Sequence, residues 1–224
     1  MNQESANSDR RHVPARELGW SKSLASMLAQ ANISANAISL AGVGAAALAA
    51  AALVATRQTD GIIQHGLWVA AGLLVGTRLL CNMLDGMVAV EWGRASPVGA
   101  LYNEIPDRVA DLLILVGAGF SAGGHEVLGY AAAFAAVFTA YVRVATRSVG
   151  APSDFGGPMA KPMRMAIVIL CTAYLGFTPA SWHPQLGASG YGLMALALAV
   201  IALGSVVTCV VRVRRAARYL NANA

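Results

Sequence analysis

Charge is scarce in this chain of 224 residues. Only 12% are Asp, Glu, Lys or Arg, about half the share usual in a soluble domain. Cysteine is also rare. Cys81, Cys171 and Cys209 fall within or at the ends of apolar runs, in no metal-ligand spacing and no disulfide framework. They read as small buried hydrophobes. The four histidines, His12, His65, His125 and His183, are scattered over tails and loops, which argues against a histidine-based metal site. There is no repeat of fixed period and no coiled-coil heptad. The first 17 residues are polar, lack an apolar core and do not read as a secretory signal. They predict a disordered cytoplasmic tail.

What the chain has in quantity is apolar side chains, 57% of the total. Crossing a bilayer takes roughly 20 apolar residues per helix. Spans are expected near 36–56, 66–84, 109–121 (with a polar start at 99), 126–145, 163–180 and 190–211. The expected fold is therefore an all-α membrane protein, a single domain over 18–224 with six transmembrane helices. Ahead of them, "LGWSKSLASMLAQANI" alternates apolar and small polar residues. Leu18, Ser21, Leu24, Ala25 and Leu28 can share one face, which suits an amphipathic helix lying on the membrane surface.

The net charge of +5 could suggest nucleic acid, but its placement does not. Six spans with an inside N-terminus put three basic clusters on one side. These are Arg10, Arg11, Arg16 and Lys22; then Arg143, Arg147, Lys161 and Arg164; then Arg212, Arg214, Arg215 and Arg218. Arg57 is the only loop arginine on the other side. That bias predicts a multi-pass integral membrane protein with both termini cytoplasmic. The last cluster also suits anchoring against anionic membrane lipid.

Acidic residues are gathered just as unevenly. Five of the eleven, Asp85, Glu91, Glu104, Asp107 and Asp111, lie within 82–111. Asn82, Asp85 and Ala89 share one helical face, and Asn103, Asp107 and Asp111 share another. Between them "GRASP" supplies turn residues. Two helices joined by a short turn are antiparallel neighbours, so these polar faces can meet. Ionisable groups at a membrane boundary are costly unless paired, hydrated or bound to metal. Carboxylates and amide carbonyls form a hard-oxygen set suited to Mg²⁺, Mn²⁺ or Ca²⁺, and Mg²⁺ commonly completes its shell with substrate phosphates. Gly86 and Ala89 leave room for a ligand at the backbone. The competing reading is a hydrated polar turn whose carboxylates pair with Arg78, Arg94 and Arg108. Arg78, about two turns above Asp85, reads best as a structural partner of an acidic residue on the next helix.

The spacing resembles the signature of the CDP-alcohol phosphatidyltransferase (CDP-alcohol phosphotransferase) family, Asp-x2-Asp-Gly-x2-Ala-Arg-x8-Gly-x3-Asp-x3-Asp. This chain reads Asn82-x2-Asp85-Gly86-x2-Ala89-Val90-x8-Gly99-x3-Asn103-x3-Asp107. The segment "ISANAISLAGV" (33–43) is similar to the start of the family's first span. The chain resembles a divergent member: Asn82 and Asn103 stand at two of the four Asp positions, and Val90 at the Arg.

The resemblance implies a reaction in phospholipid synthesis. A phosphatidyl or substituted phosphate group passes from a CDP-linked donor, CDP-diacylglycerol or a CDP-alcohol, to an alcohol, and CMP is released. It implies Mg²⁺ or Mn²⁺ held by Asn82, Asp85, Asn103 and Asp107, with Asp107 also the general base, and weaker or single-metal binding because of the two Asn. It places the donor at Asp85, Gly86, Ala89 and Gly99. Arg143, Arg147, Lys161 and Arg164 border the loop "APSDFGGPMAKP" and suit an acceptor that carries a phosphate. A homodimer is implied as well. The alternatives are a catalytically silent homologue that binds a CDP-lipid, and a membrane scaffold.

Overall fold

The computed structural model describes residues 14–91, 99–186 and 190–223. Among them the chain forms seven α-helices: α1 Gly19–Gln30, α2 Ala35–Ala55, α3 Gly61–Glu91, α4 Gly99–Gly119, α5 Glu126–Ser148, α6 Lys161–Phe177 and α7 Leu193–Ala222. Four stretches, Ala35–Gln58, Gly61–Val90, Glu126–Ser148 and Leu193–Ala222, are long and apolar enough to cross a membrane. Apolar side chains also cover the outside of the bundle, among them Leu48, Leu73, Phe134, Leu170 and Leu203. This is the inverted surface of an integral membrane protein. The remaining two expected spans form helices of another character. The first half of α4 carries Glu104, Asp107, Arg108 and Asp111, and α6 has only 17 residues.

The elements follow from their residues. Ser34 caps α2 by accepting the Ala37 N–H at 3.2 Å, which satisfies a donor the helix leaves open. At the other end the Thr56 hydroxyl donates to the Leu53 carbonyl at 2.5 Å. With 31 residues, α3 is about 46 Å long, well beyond a hydrocarbon core of about 30 Å. Its last turns, which carry Asn82 and Asp85, can therefore stand at headgroup depth. Pro106 lies inside α4. It has no N–H to give to the carbonyl four residues earlier.

Three expectations change. Leu18 is half exposed and caps α1, while Ser21, Ala25 and Ala29 form its buried stripe against Ile38, Leu84, Met87 and Val88. The tail is ordered at Pro14–Glu17, a 3-10 turn; its residues 1–13 lie outside the described residues. The last span begins at Leu193, because Tyr191–Gly192 pairs with Gln185–Leu186 as a two-residue antiparallel ribbon, β2 with β1.

The core joins Trp68 and Val75 of α3, Ile114 and Leu115 of α4, Met165 and Val168 of α6, and Met194, Leu198 and Ile201 of α7. Small residues let the backbones close on it. At Gly117 of α4 an added Cβ would lie 2.8 Å from the Ala50 Cα of α2. A backbone atom cannot rotate away, so overpacking must part the helices. We expect Gly117→Ala to cost about 1–3 kcal/mol of stability, read as a lower thermal midpoint in detergent. An unchanged midpoint would show that this crossing is loose.

Candidate active site

The polar faces of α3 and α4 do meet. From α3, Arg78, Asn82 and Asp85 point toward Asp107 and Asp111 of α4. Lys161 and Arg164, in the first turn of α6, complete the cluster. Ser39 and Gly42 of α2 close the side of a small pocket lined also by Val43, Arg78, Asn82, Asp85, Pro106, Asp107 and Ala110.

Each carboxylate is held differently. Asp111 is fully buried, with Oδ1 3.2 Å from Arg78 Nη2 and Oδ2 3.3 Å from Arg164 Nη2. Asp107 Oδ1 accepts from Arg78 Nη2 at 3.1 Å and from Asn82 Nδ2 at 2.8 Å. Its Oδ2 pairs with the Lys161 ammonium. Asp85 Oδ2 accepts from the Ser39 hydroxyl at 2.6 Å, while its Oδ1 is buried with no hydrogen-bond partner among the described residues. Arg78 thus takes the structural role expected of it, and takes it with both Asp107 and Asp111.

The basic residues separate. Lys161 Nζ also donates to Asn82 Oδ1 at 2.8 Å, inside the pocket cluster. Arg164 is 1% exposed; besides Asp111 it donates to the Thr139 hydroxyl and to the Met159 carbonyl, which makes it a clamp between helices. Arg143 lies outward, 2.6 Å from Glu104 Oε1, with its guanidinium over the Phe155 ring. Arg147 is exposed in the last turn of α5.

Of the expected donor residues, Asp85 lines the pocket, while Gly86, Ala89 and Gly99 do not. Gly99 opens α4, and Ala89 lies one turn beyond Asp85. The room over Gly86 is taken by Arg16, whose Nη2 would be 3.1 Å from a Cβ there. The Asn103 side chain and the turn at 92–98 lie outside the described residues.

Two contributors carried no sequence signal as site residues. Ser39 is a lone hydroxyl within an Ala-, Leu- and Gly-rich span, 46 positions from the carboxylate it bonds. Arg212 of α7 read as a membrane anchor. It is buried and donates to the Gly156 and Thr139 carbonyls at 3.0 and 2.7 Å.

As for a metal, no three His, Cys, Asp or Glu side chains converge as ligands among the described residues. The donors present are hard oxygens, and the orphaned Asp85 Oδ1 is a buried anionic atom that a divalent cation would satisfy. The site fits such an ion at Asp85.

No family model matches the chain. It is similar to the phosphatidylinositol phosphate synthase of Mycolicibacterium smegmatis, 26% identical over 201 residues that cover 86% of this chain and 82% of that protein. It is similar also to the archaetidylinositol phosphate synthase of Methanothermobacter thermautotrophicus, 29% identical over 149 residues, 63% of this chain and 74% of that one. Phosphatidylinositol phosphate synthases belong to the CDP-alcohol phosphatidyltransferase family. Among solved structures, the Mycobacterium tuberculosis phosphatidylinositol phosphate synthase with CDP-DAG bound superposes with a TM-score of 0.67 at 20% identity, covering 88% of this chain and 92% of that one. The same enzyme in complex with manganese and citrate superposes with a TM-score of 0.67 at 20% identity, over 88% of each chain. The chain therefore has the fold of these synthases.

The Asp111 clamp makes a direct prediction. Asp111→Asn leaves Arg78 and Arg164 short of a buried counter-charge, a change that should cost about 3–5 kcal/mol. The expected result is a thermal midpoint well below the parent's, or no folded protein. A midpoint equal to the parent's would remove the clamp from the stability of the bundle.

Proposed function

We propose that the chain is a CDP-alcohol phosphatidyltransferase that moves a phosphatidyl group from CDP-diacylglycerol to an alcohol bearing a phosphate, an inositol phosphate by analogy with its relatives, and releases CMP. One observation carries the reading. Asp85 offers a buried, unpartnered carboxylate oxygen to a pocket shared with Asn82 and Asp107, on the fold of a synthase solved with CDP-DAG bound. The motif Asn82, Asp85, Gly86, Ala89, Gly99, Asn103, Asp107 supports it.

In this reading Asp85, with Asn82, Asn103 and the neighbouring Asp107, would hold Mg²⁺ or Mn²⁺, an ion that offsets charge on the pyrophosphate and on the departing CMP. Gly86, Ala89 and Gly99 border the donor. Arg16 must then swing off Gly86, which a long flexible side chain can do. The acceptor hydroxyl attacks the phosphatidyl phosphorus, the P–O bond to CMP breaks, and the hydroxyl proton passes to Asp107. Asp107 Oδ2 has one strong donor, Lys161, and keeps a lone pair for that proton. Lys161 and Arg143 serve the acceptor phosphate, Arg147 supplies charge at the rim, and Arg164 supports them through Asp111.

The reading includes six crossings, α4 and α6 among them, both termini cytoplasmic, and two copies per assembly. The position of every functional cation and carboxylate at one end of the bundle supports this orientation. So does Arg57, which pairs with Glu126 at the opposite end.

The test is CMP release from CDP-diacylglycerol by purified protein with Mn²⁺, across a panel of phosphorylated and plain alcohols. Asp85→Asn should abolish release, because an amide oxygen is a weak ligand for a hard dication. Arg143→Ala should raise the acceptor KM roughly ten- to hundredfold, for loss of about 1.5–3 kcal/mol of charged contact, and leave donor affinity unchanged. CDP-lipid binding with no turnover of any acceptor would instead mark a silent homologue.

A further inference from the structure

Lys161 occupies an unusual place for an acceptor ligand. Its ammonium lies between Asn82 Oδ1, at 2.8 Å, and Asp107 Oδ2. The Asn82 amide is fixed in orientation by this: its oxygen faces the ammonium while its Nδ2 donates to Asp107 Oδ1 at 2.8 Å. With a carboxylate at position 82 the ammonium would lie between two anions, and only without the ammonium would those two call for a second divalent cation. With Asn82, one hydrogen bond and one ammonium close the set.

The carboxylates of the pocket then share its cations unequally. Asp111 has Arg78 and Arg164, and Asp107 has Arg78 and Lys161. Asp85 is left with a serine hydroxyl on one oxygen and, among the described residues, no partner on the other. The lysine is also built into its position. It is the first residue of α6, ahead of Pro162. The loop before it is tied to α7 by Met159 N–H on the Thr208 hydroxyl at 2.9 Å and by Arg212 on the Gly156 carbonyl at 3.0 Å.

We propose that Lys161 is a resident cation of this site, held between Asn82 and Asp107, so that the chain binds a single divalent ion, at Asp85. The ammonium has three donors. Two meet Asn82 and Asp107, and the third stays available to an anionic substrate without the lysine leaving its place. This rests on the proposed metal site but not on turnover, so its test reads binding.

The experiment is Mn²⁺ titration of the purified full chain in detergent, followed by loss of the free-ion electron paramagnetic resonance signal and by calorimetry, with no substrate present. The parent should bind one Mn²⁺ per chain and Asp85→Asn none. Lys161→Met should bind Mn²⁺ roughly tenfold more tightly, because a neighbouring positive charge is gone. Asn82→Asp alone should stay at one ion, since the new carboxylate pairs with the ammonium. Asn82→Asp with Lys161→Met should bind two. Two ions on the unaltered parent would overturn the proposal without any variant having to fold. So would one ion at parental affinity on a folded double variant. Absence of CMP release would count against the enzyme reading and leave this stoichiometry standing or falling by itself.

Discussion

Asp111 is the constraint on which the polar end of this bundle depends. A carboxylate with no exposed surface cannot remain charged unless cations come to it, and two do: Arg78 from α3 and Arg164 from α6. Three helices are thereby fixed in rotation about their own axes, because a turn of any one would strand a charge in an apolar interior. Arg78 then reaches on to Asp107, one helical turn earlier on α4. The pocket wall is in this sense an extension of a structural ion pair. The cluster is high-stakes, as buried polar networks are. Such a network favours one arrangement, and among the described residues the carboxylate oxygen it leaves without a partner is Asp85 Oδ1, on a residue that lines the pocket.

That pattern explains why a chain with so little charge concentrates it. Along most of their length the helices carry apolar side chains on both their inner and outer faces. At one end, carboxylates and cations are interleaved from the inside outward: Asp111 at the centre, Asp107 and Asp85 on the pocket, and Glu104 with Arg143 and Arg108 toward the surface. Low polarity strengthens every pair in the inner layers. The outer pairs, nearer water, are weaker and exchange partners more readily. A phosphate can compete for Arg143, which is bound to a half-exposed Glu104, far more easily than for Arg164.

The sequence disclosed what period and charge can disclose. Helix-spaced Asn82 and Asp85 and helix-spaced Asp107 and Asp111 were visible, and so was the prospect that the two faces meet. The depth of Arg78 marked it as a partner for the following helix. What could not be read is which cation goes to which anion, since Arg143, Lys161 and Arg164 look alike along the chain. The fold separates them by burial: Lys161 into the pocket, Arg164 below it, Arg143 outside. Ser39 was invisible because its contact spans 46 positions with no periodic relation to Asp85. The span count was harder still. Hydropathy gives four long apolar helices directly. The other two expected spans, α4 with its charged start and the shorter α6, are set apart by those features although both pack into the same core.

The placement of Lys161 finally depends on residues that carry no charge. Its loop follows α5 and must cross to α6 while keeping one side against α7. Gly157 allows this: its φ of +118° lies in a region that side chains avoid, and an added Cβ would strike Thr208. The close approach lets the Thr208 hydroxyl accept the Met159 N–H, and Met159 in turn fills the space that Gly204 leaves on α7. Two residues further on stands Lys161. An ammonium on a four-carbon stem is adaptable on its own. Here its root is fixed by a glycine contact, a hydroxyl and the Arg212 bond to the Gly156 carbonyl, so the reach of the stem ends at Asn82 and Asp107. Any change that loosens the loop from α7 should therefore act on the charge balance of the pocket before it acts on the apolar core.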